Sequence, residues 1–199
     1  ALGTGPLITV VNPLPWPRKE LVIVKEELKG VPTQKVDGGY LALVEVPALG
    51  WRSFEAGPSV TSGDVVVGDN YIENSLVRVV FDGSLRIYDK ETNRWAVEDG
   101  YLMACEDMPS RWDGWDIEAY YRRVCRRLEP TGFSIVEKGP LRGCIEVNYG
   151  FRESSIRQRI CVGAFSRRVD VESEVDWRER LTLLKAVYKL GIFGHNASF

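Results

Sequence analysis

The chain carries one histidine, His195, and two methionines among its 199 residues. A lone imidazole cannot build a histidine-based zinc site. A Ser-His-Asp triad would need His195 as its base, and Gly-x-Ser-x-Gly does not occur. Cysteine is sparse too. Cys105, Cys125, Cys144 and Cys161 stand 20, 19 and 17 positions apart, which matches neither a zinc pattern nor a CxxC redox motif. Cys144 and Cys161 sit in apolar, strand-like runs, where cysteine behaves as a small hydrophobe. All four are therefore read as reduced thiols of a cytoplasmic protein, with disulfides the alternative that an even count leaves open. No run of about 18 apolar residues is present, so no membrane-spanning helix is expected. No basic stretch followed by an apolar one opens the sequence, so no signal peptide is read. Gly3-Thr4-Gly5-Pro6 lacks the lysine and the following helix of a phosphate loop.

An excess of positive charge is also lacking. Lysine and arginine total 26 against 28 aspartates and glutamates, for a net charge of −2 and a pI near 5.6. Neither a nucleic-acid nor an anionic-membrane partner is expected from that balance. The local run Arg122, Arg123, Arg126, Arg127 is flanked by Glu118 and Glu129 and reads as a solvated face. The sequence starts at alanine and stops at Phe199 inside a strand-like run, so a piece of a longer polypeptide is expected. A cut inside a β-sandwich would bare strand edges and an apolar face, which predicts a homo-oligomer or strand exchange. Asn196-Ala197-Ser198 fits the glycosylation sequon and is taken as accidental in a cytoplasmic protein.

What is present is period two. Leu7 to Val11, Leu21 to Val24, Tyr40 to Val46 and Trp51 to Phe54 read as short strands, with three prolines breaking the chain between Asn12 and Pro17. Gly57 to Gly63 reads as a linker or turn. Beyond it come strands at Asp64 to Val67, Tyr71 to Glu73 and Leu76 to Phe81, and Asp82-Gly83 signals a hairpin returning through Ser84 to Tyr88. Ser134 to Glu137, Leu141 to Phe151, Ser154 to Val162 and Arg167 to Trp177 alternate as well. Ile156, Gln158, Ile160 and Val162 share one face against Arg157 and Arg159 on the other. Val169, Val171, Ser173 and Val175 similarly oppose Asp170, Glu172, Glu174 and Asp176. Helical period is nearly absent; Arg180 to Val187 is ambiguous and is read as strand. The expected fold is all-β, an antiparallel β-sandwich: a small unit over residues 1–61, then the first part of a larger sandwich over 62–199.

The stretch with most chemistry is Glu106-Asp107-Met108-Pro109-Ser110-Arg111-Trp112-Asp113-Gly114-Trp115-Asp116-Ile117, followed by Glu118, Tyr120 and Tyr121. Aromatic faces beside carboxylates suit a sugar: rings stack on C–H faces and acids bind hydroxyls or move protons. Charge-assisted hydrogen bonds of this kind contribute about 1.5–3 kcal/mol each. Two readings fit the residues. Trp112 and Trp115 stack on a sugar while Asp113 and Asp116 bind its hydroxyls, or the tryptophans fill a junction between sheets while the aspartates tie down a turn. A carboxylate calcium site at Asp113 and Asp116 would lack the glycine pattern of an EF-hand loop. Trp177 is expected in the core, and Trp16 as a plug at the edge of the small unit.

Five segments, in order, resemble the β-sandwich region of glycoside hydrolase family 38 α-mannosidases. Asn12-Pro13-Leu14-Pro15-Trp16-Pro17-Arg18 is similar to that region's N-P-x-x-W-x-R opening. Tyr40 to Trp51, with Val46-Pro47-Ala48-Leu49-Gly50-Trp51, resembles a v-x-v-P-x-x-G-y strand. Ile72-Glu73-Asn74 through Asp89-Lys90-Glu91-Thr92 looks like the family's E-N…D-K-e-t hairpin. Glu106 to Ile117 resembles e-D-x-P-x-x-W-D-A-W-D-I, with Gly114 in place of alanine. Val175-Asp176-Trp177-Arg178-Glu179-Arg180 with Leu184-Lys185 is similar to v-D-W-x-E-x-x-x-x-L-K.

The resemblance implies a small sandwich followed by part of a supersandwich of galactose mutarotase-like type. It also implies that the catalytic domain, with its zinc and nucleophilic aspartate, is absent from this chain; no His-x-Asp motif occurs here. No cofactor is expected in the chain and no catalytic residue is carried over. The implied role is a non-catalytic portion of an α-mannosidase. It would pack against the remainder of the same enzyme and contact an α-mannoside through Trp112, Asp113, Trp115 and Asp116. The alternative is a self-standing carbohydrate-binding sandwich. A mutarotase-like activity would need a histidine and a carboxylate acting together, and His195 stands alone.

Overall fold

The computed structural model describes residues 7–112 and 117–192. Alternation dictates its first layer pair. Strand β1 (Leu7–Asn12) pairs antiparallel with β5 (Gly50–Glu55), and β2 (Arg18–Val24), β4 (Gly39–Val46) and β3 (Thr33–Val36) form a three-stranded sheet with β4 central. The two sheets close over Val24, Leu28, Ala42, Val44, Val46 and Phe54. The proline-broken turn after β1 is held by Asn12, which is buried. Its amide Nδ2 donates to the carbonyls of Trp16 (2.8 Å) and Pro47 (2.9 Å), and its Oδ1 accepts from Leu14 N–H (3.1 Å). A side chain thus supplies the bonds that three prolines cannot. The Trp16 ring is not the plug expected from its position: it is 54% exposed, and the turn uses its carbonyl instead.

The larger layer pair follows. One sheet runs β10 (Arg94–Glu106), β9 (Leu85–Asp89), β8 (Val77–Phe81), β7 (Tyr71–Glu73), β6 (Val66–Val67). Strand β11 (Cys125–Arg127) continues along the β9 side of β10, and β16 (Thr182–Leu190) covers its other edge. The second sheet is a meander of β12 (Pro130–Lys138), β13 (Arg142–Phe151), β14 (Ser154–Gly163) and β15 (Val169–Asp176). The two enclose Ile72, Val79, Phe81, Leu85, Leu102, Ile145, Val147, Ile156, Ile160 and Val162. The all-β sandwich reading holds. Strand β4 serves both cores, since Leu41 and Leu43 on its other face pack with Leu21 and Val36 against this larger cluster.

Three polar side chains stitch the layers. Asn74, 2% exposed, donates from Nδ2 to Gly163 O (2.8 Å) and Ser166 O (2.6 Å). Its Oδ1 accepts from the N–H groups of Leu76 and Val77, both at 2.8 Å. This amide shapes the β7–β8 turn and fastens it to the opposite sheet. Glu137, buried on β12, takes a two-pronged contact from Arg142 (3.0 and 2.9 Å) and another from Arg159 (2.6 Å). Gln34 of β3 donates to Glu137 (2.9 Å) and accepts from the N–H groups of Leu141 and Arg142. The small sheet is thereby bonded to the large one.

Three expectations need correction. The cysteines are not reduced thiols: Cys105 pairs with Cys125 and Cys144 with Cys161. Antiparallel register sets each pair directly opposite across β10–β11 and β13–β14, with Cα atoms 4.0 and 4.2 Å apart. Sequence spacing does not report that register. Strands β3, β10 and β11 escape the period-two pattern; β10 is interrupted by register shifts near Val97 and by Gly100. Only the start of β15 packs inward: Val169 and Val171 join the core, whereas Val175 is 48% exposed at the sheet's edge.

Candidate functional site

Between Cys105 and Cys125 the described residues, 105–112 and 117–125, form the two arms of a hairpin at the end of the large sandwich. Its arms are laced by successive rungs. The disulfide joins residues 105 and 125, and Glu106 N–H donates to Val124 O (2.9 Å). The Tyr120 hydroxyl donates to Met108 O, and Ser110 Oγ donates to a carboxylate oxygen of Glu118 (2.9 Å). Asp107 N–H donates to Leu181 O (2.9 Å), tying the outgoing arm to the turn before β16. The returning arm contains the short 3₁₀ helix Ala119–Arg123.

Trp112, on the outgoing arm, is 72% exposed, with φ of 59°. A bulky side chain in the left-handed region is uncommon. It fills no junction between sheets among the described residues. Asp113, Trp115 and Asp116, the other three residues singled out by the sequence, lie outside the described residues.

Beside the hairpin base opens a cleft of about 600 Å³. Its walls come from β10 and β11 (Glu106, Cys125, Arg126), from the outgoing arm (Met108), from the β13–β14 turn (Arg152) and from the β15–β16 turn (Arg180, Leu181). Phe151 also lines it and stacks on Trp177, with ring centroids 5.6 Å apart and planes 7° from parallel. Trp177 packs on the core, as its strand position suggested. The cleft therefore combines an aromatic floor with guanidinium and carboxylate groups, a mixture that suits a polar ligand with C–H faces.

Two phenols flank the hairpin base. Tyr121 accepts hydrogen bonds from Lys185 and Arg122, which hold its hydroxyl below its ordinary value of 10.0, and Lys185 Nζ also sits 4.3 Å from its ring centroid. Tyr120 is pushed the other way, by burial and by the charges of Glu118 and Asp107. Arg127, read from sequence as part of a solvated run, is half-buried. It grips Asp99 with both terminal nitrogens (3.0 and 3.2 Å) and lies over the Tyr101 ring. The sequence reading missed Arg152, Arg180 and Lys185 as neighbours of the hairpin. They meet it only through the return of β13–β14 and β16, which no local signal records.

No three histidine, cysteine, aspartate or glutamate side chains gather to hold a metal among the described residues. No helix among them is long and apolar enough to cross a membrane.

Comparison with known proteins gives two matches. Residues 72–199 match the model of the glycosyl hydrolases family 38 C-terminal domain. The chain is also 32% identical over 146 residues to alpha-mannosidase G of Dictyostelium discoideum, an alignment covering 66% of this chain and 13% of that relative. The chain thus matches a small part of a much longer protein.

Proposed function

The chain belongs to the family 38 glycosyl hydrolases, as their C-terminal domain, and we propose that it serves an α-mannosidase as a non-catalytic sandwich whose Trp112 hairpin and adjoining cleft contact carbohydrate. The observation that carries this reading is the laced hairpin itself. A covalently closed, hydrogen-bonded stalk carries an exposed indole, and a cleft lined by Phe151 opens at its base. An exposed indole offers a sugar face a large apolar surface to stack on.

The same reading gives the remainder of the enzyme the other partner role. The outer face of β1–β5 sets Val11 opposite Trp51, both well exposed, and Leu49 and Trp16 stand exposed at the adjoining turns. Such an apolar surface suits contact with further polypeptide. The hydrolysis of α-mannosides, and the zinc proposed for it, would then belong to that remainder. The described residues do not fit such an ion, and no step of the reaction is assigned to them.

Titrating an α-linked mannobiose calorimetrically into the protein and into Trp112→Ala tests the proposal. Millimolar binding that Trp112→Ala abolishes supports it. Binding that is absent, or indifferent to the substitution, removes the hairpin's role in carbohydrate contact.

A further inference from the structure

We propose that the cleft at the hairpin base is an oxyanion site, in which Arg126, Arg152 and Arg180 hold a phosphate or sulfate ester; that a carbohydrate carries the ester rests on the function proposed above, the anion binding itself does not. Among the described residues, four arginines and two glutamates line the cleft, in a chain whose net charge is −2. Arg127 is already engaged, since it grips Asp99 and lies over Tyr101. Arg126 and Arg180 are exposed. Among the described residues they form no ion pair, either with Glu106 and Glu129 of the lining or with another carboxylate. Arg152 meets Glu179 through one nitrogen at 3.5 Å, and its side chain stays 66% exposed. That partner is committed elsewhere: the other carboxylate oxygen of Glu179 accepts from the Glu153 N–H (3.2 Å) and the Ser154 hydroxyl (2.9 Å). Three guanidinium groups of one cleft are thus left with little or no internal counter-charge. The planar fork of each matches the oxygens of a phosphate or sulfate in pairs.

The backbone supports the same reading. Arg152 and Glu153 are the two residues that turn β13 into β14, with Phe151 paired to Ser154. Arg152 has φ of 51°, in the left-handed region where two-residue hairpin turns favour glycine, asparagine or aspartate. Leu181, next to Arg180 in the β15–β16 turn, has the same φ. Bulky residues held in this region cost energy and gather at functional sites. An arginine at a position that glycine fills more easily points to a use for its guanidinium. The volume of about 600 Å³ exceeds what one oxyanion fills and is that of a small-molecule site. Phe151 in the lining offers a ring to the C–H face of the body that bears the ester. Charge therefore selects the ester while the ring accepts the sugar.

The test is a calorimetric titration of the intact protein with inorganic phosphate, inorganic sulfate, and the 6-phosphate and 6-sulfate of methyl α-mannoside. Each is run at about 20 mM and about 200 mM sodium chloride. Millimolar binding of a free anion is expected, several-fold weaker at the higher salt. The corresponding ester should bind about tenfold more tightly, through the added ring contact, and the phosphate and sulfate arms decide which ester the cleft takes. Arg126→Gln combined with Arg180→Gln should weaken anion binding about tenfold or more. Arg152→Gly separates binding from folding. Glycine suits the turn, so this variant should melt close to wild type yet bind the anion several-fold more weakly. No binding of either free anion in the millimolar range, or wild-type affinity in either arginine variant, overturns the site. Esters bound no more tightly than the free anions overturn the carbohydrate half of the proposal. A mannobiose titration that is indifferent to Trp112→Ala leaves the free-anion readout untouched, so the two failures are distinguishable.

Discussion

Replacing Asn74 by alanine should destabilise the large sandwich more than its single amide suggests. Four backbone groups lose their partner at once: the carbonyls of Gly163 and Ser166 and the N–H groups of Leu76 and Val77. Each such bond contributes about 0.5–1.5 kcal/mol net, and a buried group left unpaired costs more than that mean. Val77 is buried while Leu76, Gly163 and Ser166 are half-buried, so water recovers part of the loss. A destabilisation of about 2–4 kcal/mol follows. It would lower the melting temperature by about 10 °C in a domain of this size. Urea denaturation followed by tryptophan fluorescence measures it. Asn74→Asp separates hydrogen bonding from cavity formation. It keeps both acceptor contacts but turns a carboxylate oxygen toward two carbonyls. Its folded-state pKa should therefore lie above the unfolded one, so the deficit is full at neutral pH and shrinks as pH falls and the acid regains a donor. The reasoning is refuted if Asn74→Ala unfolds within about 1 kcal/mol of wild type, the scale of one ordinary bond.

Other substitutions probe the remaining joints. Glu137→Ala leaves Arg142 and Arg159 facing each other beside Gln34. With both arginines partly solvated, a loss of about 2–3 kcal/mol in urea unfolding is expected; a neutral result would mean that the clamp adds nothing. For Asp64, burial pulls the carboxyl upward, but hydrogen bonds from Ser75 and from the Phe165 N–H outweigh it and hold it below the ordinary 3.8. Its contribution is thus full above pH 3.8 and is lost as pH falls through the lower folded value. The stability gap between wild type and Asp64→Asn should narrow on acidification, and a widening gap would reverse the sign argued here. Trp112→Ala should change melting by less than about 0.5 kcal/mol in stability, because the ring is mostly solvent-exposed. Acids at alternate positions of β15, from Asp170 to Asp176, oppose edge pairing, so any homo-oligomer should form through Val11 and Trp51. Sedimentation of Trp51→Lys would then show monomer, and an unchanged assembly would point to another face.

Where the sequence reported the fold, it did so through alternation on strands with one clear inner face. Ile156, Gln158, Ile160 and Val162 are all buried as their spacing required, and Asp82-Gly83 does turn a hairpin, with Phe81 paired to Leu85 and Gly83 at φ 101°. Strand β10 was not legible for the opposite reason. It pairs along both edges, carries register shifts and holds Gly100 where a side chain would meet Tyr188 and Leu85. Those features blur a period of two. Strand β3, Thr-Gln-Lys-Val, looks polar because its inward residue is Gln34, whose burial is satisfied by Glu137 and by the backbone at Leu141 and Arg142. Buried polar residues whose partners lie a hundred positions away give no local signal.

The candidate site divides along the same line. Its aromatic and acidic residues are contiguous, so composition alone exposes them, and Trp112 is indeed solvent-exposed. What composition cannot show is the support beneath them. The base is set by register on β10, which places Cys105 opposite Cys125 on one edge and opposite Leu183 of β16 on the other. That double pairing brings Leu181 to Asp107, and Lys185 to Tyr121. These ties brace the loop on rigid strands at both feet, which a free loop of the same composition would lack. The residue types of the proposed contact are therefore written in the sequence, whereas the placement of the hairpin base depends on strands β11 and β16. Under the carbohydrate contact proposed above, a substitution at Tyr121 or Lys185 should weaken binding through the base of the hairpin. Lys185→Ala, titrated with the mannobiose beside Trp112→Ala, measures that: a weaker but still saturable isotherm is expected, and binding equal to wild type would show that the contact does not depend on this brace.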